Sequence, residues 1–144
     1  MKLKIVFDKN REEEILIFAH ERTKMIDDIE NLVKKSSDEI VGYFEGEASI
    51  IKASQTACFT VENNKVYAIT GKEKLQVKLR LYQIEEMLDA NFVKINQSCV
   101  ANINEIRKFD TSISGTLKVV FKNGYTDYVS RRNIKSVKER LGIK

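Results

Sequence analysis

From residue 40 to residue 129 the apolar residues come in short clusters, each closed by polar residues that favour turns. Such clusters are too brief for a helix to bury a continuous stripe, and their β-branched and aromatic content suits strands. Strands are predicted at Ile40 to Phe44, Ser49 to Ala53, Cys58 to Val61, Val66 to Thr70 and Leu75 to Leu79, with turns at residues 62–65 and 71–74. This is a β-meander. A short helix, Leu81 to Leu88, interrupts it, with Leu81, Ile84, Met87 and Leu88 on one face. Further strands are predicted at Phe92 to Ile95, Ile106 to Asp110, Thr116 to Phe121 and Tyr125 to Val129. Asn123-Gly124, between the last two, is the strongest short-range hairpin signal in the chain. Ser130 can cap a final helix, Arg131 to Leu141, which closes at Gly142.

Upstream the pattern differs. Leu3, Ile5 and Phe7 alternate with polar or smaller residues, as in a half-buried strand, and Ile15 to Phe18 is read as a second strand. From Thr23 the positions Met25, Ile26, Ile29, Leu32 and Val33 follow helical spacing to a predicted end near Ser36. That apolar face is expected to pack on the chain's own sheet, with dimerisation or partner docking as the lesser reading. The predicted organisation is a strand-strand-helix extension over residues 1–39 and one domain over 40–144. A length of 144 residues, 42% hydrophobic and 32% charged, suits one domain, and the absence of proline with only six glycines leaves no linker-type tract. No apolar run approaches the roughly 18 residues of a membrane span, and the first residues are too short an apolar run for a signal peptide. A cytoplasmic location is expected.

Little in the chain suggests catalysis. His20 is the sole histidine and has no Ser, Cys or Asp constellation attached to it. Phosphate loops, HExxH, CxxC and EF-hand patterns are all missing from the sequence. Asp27-Asp28 and Glu85-Glu86 are adjacent on predicted helices, where neighbours do not face each other. Cys58 and Cys99 lack metal spacing and are read as reduced, semi-buried thiols. No enzyme activity, cofactor or metal is expected.

Charge is more informative. Residues 91–144 carry 11 Lys and Arg against 4 Asp and Glu, a net of +7, while the rest of the chain nets −3. A basic region of this kind suits a polyanion. Arg131 and Arg132 fall where a strand hands over to a helix, whose free N–H groups favour phosphate. The competing reading is a protein-interaction module whose basic C-terminal surface meets an acidic partner.

The run Phe92-Val-Lys-Ile-Asn-Gln-Ser-Cys-Val-Ala-Asn-Ile-Asn-Glu-Ile-Arg107, followed by Asn123-Gly124 and by Ser130-Arg131-Arg132 before a closing helix, resembles the LytTR DNA-binding domain of bacterial transcription regulators. The likeness covers about residues 40 to 144. It implies a mainly β, α+β fold: an elongated stack of small antiparallel sheets whose edge loops enter successive major grooves of double-stranded DNA. Carried over by position, the first loop is Asn63, Asn64 and Lys65, the second Asn96, Gln97 and Ser98, and the third Arg131, Arg132 and Asn133. Asn and Gln amides can pair with adenine N6 and N7, Lys65 can neutralise a phosphate, and arginine can do either. Asn63 and Asn64 can also simply supply turn geometry. Asn102 is assigned to structure, bonding backbone at a sheet corner. The chain departs from the family where a basic residue or histidine often stands at Asn96 or Gln97, and where a Glu often stands at Thr60. About 40 residues before the match are too few for a phosphorylatable receiver, so the resemblance is to standalone members. It implies direct-repeat sites bound by two copies that are at most weakly dimeric in solution. It also offers a small membrane protein as regulator, as standalone members are often paired with one.

Overall fold

Strands with apolar residues on both faces need cover on both faces, and the middle of this chain reads that way. In β3 (Cys58–Glu62), Cys58 and Phe59 are adjacent, point to opposite faces, and are both fully buried. Ala68 and Ile69 of β4 (Lys65–Thr70) behave alike, and β7 (Cys99–Asn102) is buried throughout. The computed structural model describes residues 1–35, 38–113 and 115–142. In it these strands join β1 (Glu39–Phe44), β2 (Glu47–Lys52), β5 (Glu73–Val77) and β6 (Phe92–Asn96) in an antiparallel sheet of order β2-β1-β5-β4-β3-β7-β6. A single register pair, Tyr43 with Gln76, joins the β1–β2 hairpin to β5, so the large sheet is itself a row of smaller units.

One face of that sheet, with Phe59, Ala68, Leu75 and Val100, is covered by α2 (Leu81–Met87) through the fully buried Ile84. The other, with Cys58, Ile69, Ile95, Cys99 and Ala101, meets a second antiparallel sheet of β8 (Ile106–Asp110), β9 (Leu117–Phe121) and β10 (Thr126–Val129). Val137 of α3 (Arg131–Leu141) closes the same core, and the helix ends at Gly142 in the left-handed region, φ 68°. Mainly β, with helices on the outside, is the architecture the sequence implies. The strand β7 is absent from the predicted set, because four residues flanked by polar Asn and Ser give too brief a signal.

The buried Asn102 performs the structural role assigned to it. Its amide donates to the carbonyls of Ser54 (3.1 Å) and Thr56 (3.0 Å), and its oxygen accepts from Asn104 N–H (3.0 Å). Three backbone groups at a corner are satisfied by one side chain. The Asn123-Gly124 hairpin forms, but as a three-residue loop with Gly124 at φ 91°; Asn123 donates to Gly71 O (2.6 Å) and so ties the second sheet to the β4–β5 turn.

The first 23 residues correct the sequence reading. No strand is assigned there, although both segments were expected to be strands. Arg11 N–H bonds Asp8 O at 3.5 Å across a turn at residues 8–11. Pairing across that turn would set Phe7 opposite Glu12 and Ile5 opposite Glu14, so the apolar side of one segment would face the acidic side of the other. Without a matching partner there is no ladder. The helix α1 (Lys24–Lys35) does form, with Thr23 Oγ1 accepting from Ile26 N–H (3.4 Å) at its start and Arg22 bridging Asp27 and Glu30. Its predicted end at Ser36 lies outside the described residues. Contrary to expectation, its apolar face does not pack on the sheet. Ile26 and Ile29 are half-buried and, with Ile15 and Ile17, line a groove of about 380 Å³, while Met25 and Leu32 stay exposed.

Candidate nucleic-acid interface

Antiparallel pairing decides where the loops emerge. Because β3 runs antiparallel to both β4 and β7, and β6 to β7, the β3–β4 turn and the β6–β7 turn open at the same end of the sheet. Val61 N–H donates to Ser98 O at 2.8 Å and holds the two turns at their bases. The start of α3 is drawn to the same end by Ser130 N–H, which donates to Ile95 O at 2.8 Å. Three segments more than 30 residues apart from one another in sequence are thus gathered at one edge.

At the first turn, Asn63 (φ 51°) and Asn64 (φ 64°) both lie in the left-handed region, closed by the pair Glu62 and Lys65. That is the conformation of a two-residue hairpin, for which asparagine is suited. All three predicted residues are exposed, and Glu62 pairs with Lys74. In the second loop the amide of Asn96 is committed within the protein: Nδ2 donates to Asp127 Oδ1 (3.2 Å) and Tyr128 O (2.8 Å), and Oδ1 accepts from Ser98 N–H (2.8 Å). Asn96 therefore shapes the loop, and Gln97 and Ser98 are its exposed residues. The Asn-x-Ser spacing, an Asx-turn pattern, was the available sequence signal.

In the third segment Arg131 and Arg132 are exposed in the first turn of α3 and Asn133 is half-buried. Ser130 occupies the cap position but its hydroxyl makes no bond to the helix, contrary to the capping expected of it. Sequence reasoning overlooked Tyr128. The residue is 48% exposed, and its backbone carbonyl accepts from the Asn96 amide, which puts its backbone beside the second loop.

Beneath the loops the supporting side chains are buried. Thr60, where the family often has a Glu, is buried. Tyr125 stacks at a tilt on Phe121, and burial first, then the neighbouring Cys58, raise its phenol from the ordinary 10.0 to about 12. Cys58 and Cys99 are fully buried, more so than expected; hydrogen bonding to Cys58 and then burial push the Cys99 thiol far above its usual range. Such thiols are inert. Among the described residues no group of three or more His, Cys, Asp or Glu is placed to hold a metal, and no helix is long and apolar enough to cross a membrane.

The arrangement defines a β-sheet domain that offers loops and a helix start, side by side, at one edge. The chain belongs to the LytTR family: the family model for the LytTr DNA-binding domain matches residues 46–142. An HTH-type transcriptional regulator of Staphylococcus aureus strain NCTC 8325 / PS 47 is 36% identical over 99% of both chains, and one of strain N315 is equally similar. A LytTr DNA-binding domain from Bacillus cereus superposes with a TM-score of 0.70 at 17% identity, covering 75% of this chain and all of that one. The helices described here are separated from one another by strands, so the helix-turn-helix in the relatives' name has no counterpart among the described residues.

Proposed function

We propose that this DNA-binding transcription regulator reads its operator through the three clustered segments, set into successive major grooves. The observation that carries the reading is their convergence at one end of a rigid sheet, fixed by the Val61–Ser98 and Ser130–Ile95 backbone bonds. Asn64 and Gln97 are the base readers, their amides suited to adenine edges, while Lys65, Arg131 and Arg132 engage phosphates or guanine. Asn63 and Asn96 hold the turns, Ser98 and Asn133 flank the reading residues, and Tyr128 adds a sugar or base-face contact. Two copies occupy in-phase half-sites, which the family resemblance orients as direct repeats. Selection of genomic fragments by the purified protein tests this directly, because it yields the operator together with the binding. Recovery of no enriched motif at moderate salt would sink the reading and favour an acidic protein partner.

A further inference from the structure

The first 18 residues present Leu3 at 87%, Ile5 at 68%, Phe7 at 95% and Phe18 at 95% exposure, joined by Ile15, Leu16 and the α1 residues Met25 and Leu32. Summed over these side chains, on the order of 1,000 Å² of mostly apolar surface is left uncovered, enough to supply the roughly 800 Å² each partner of a stable complex buries. From the pattern of residues 2–8 we infer that a second copy of this chain covers it, by antiparallel pairing of the two arms about a two-fold axis at Ile5.

The pairing is self-complementary. With Ile5 opposite Ile5 of the second copy, Leu3 meets Phe7 and Phe7 meets Leu3, so one side of the two-stranded ribbon is wholly apolar. On the other side Lys2 meets Asp8 at both ends, and Lys4 lies across from Val6. Neighbouring registers are worse. Moving the axis to Lys4 sets two lysines against each other, moving it to Val6 sets Leu3 against Lys9, and a one-residue slip puts apolar residues opposite charged ones. The ribbon supplies the ladder partner that the arm lacks within its own chain, and its apolar side joins the exposed residues of segment 15–18 and α1. The symmetry is that of an isologous dimer, the commonest kind. This reverses the expectation of at most weak association in solution, and it does not depend on the reading of the DNA-binding edge.

Sedimentation velocity on the full chain without DNA tests the association, and cysteine cross-linking tests the register. Because Cys58 and Cys99 are buried, Ile5→Cys adds the only accessible thiol. Mild oxidation should convert most of that variant to a covalent dimer, while Lys2→Cys, about 20 Å from its equivalent in this register, should give little. Ile5→Lys should weaken the dimer roughly a hundredfold, and circular dichroism should lose only the small strand signal of the arms. Lys2→Glu and Asp8→Lys should each weaken it, and the double exchange should restore it. A wild-type chain that stays monomeric at all concentrations would overturn the proposal and assign the face to a different partner. Equal cross-linking of both cysteine variants would overturn the register.

Discussion

At the scale of single residues, asparagines of one chemical type serve opposite purposes. Asn96 commits its amide to Asp127, Tyr128 and Ser98, whereas Asn64 and Gln97 are exposed, as the proposed base contacts require. Asn64→Ala or Gln97→Ala should therefore cost roughly 1 to 3 kcal/mol on the cognate site and little on random DNA. Asn96→Ala should weaken both DNAs together, since it loosens the loop itself. Comparative binding isotherms check this, and equal losses for Gln97 on both DNAs would mean backbone positioning. Tyr125 gives a pH signature. Its phenol keeps its proton to about pH 12 in the folded chain against 10.0 as a free side chain. Between those values the unfolded chain has lost the proton and the folded chain has not, so its contribution to stability is complete below pH 10.0 and disappears as pH rises to about 12. Urea titrations across that window should show a fall in stability that Tyr125→Phe reduces.

At the scale of elements, the hold of the β1–β2 hairpin on the sheet depends on one close approach. A Cβ at Gly42 would stand 2.9 Å from Leu75 Cβ, a contact that real side chains do not make. Gly42→Ala should push β1 away from β5 and cost about 1 to 3 kcal/mol, measured as a lower urea midpoint. The start of α3 is tested through salt. If Lys65, Arg131 and Arg132 each neutralise a phosphate, affinity should fall linearly with salt on logarithmic axes, and each Ala substitution should reduce the slope by about 0.9. A slope unaffected by all three would remove them from the phosphate contacts.

On the scale of the whole molecule, the proposed arm-to-arm dimer would have to keep its loop edges on one face of a duplex to read it. Inserting about five base pairs between half-sites, roughly half of a 10 to 10.5 bp turn, should abolish cooperative binding, and a full turn should restore much of it. Gel-shift titrations on spaced operators give the result. Tight binding to a single half-site, indifferent to spacing, would mean that each domain acts alone. The orientation of the recovered half-sites adds a second reading: direct repeats require the DNA-binding domains to turn independently of the arm, and inverted repeats mean that they follow its two-fold axis.

The local periodicities in this sequence determined most strands, α2 and α3 with its closing Gly142, because alternation, turn residues and caps act over a few neighbours. The LytTR resemblance singled out the loop residues for the same reason, since their motifs are contiguous. What tertiary structure decided was pairing and partnership. β7 exists because β3 and β6 flank it, Asn96 is occupied because β10 passes beside it, and the loops share an edge because the strands beneath them are antiparallel. Residues 3–7 alternate as a strand should, yet form none here, because a strand is a relation between two segments and none of the described segments pairs with that one.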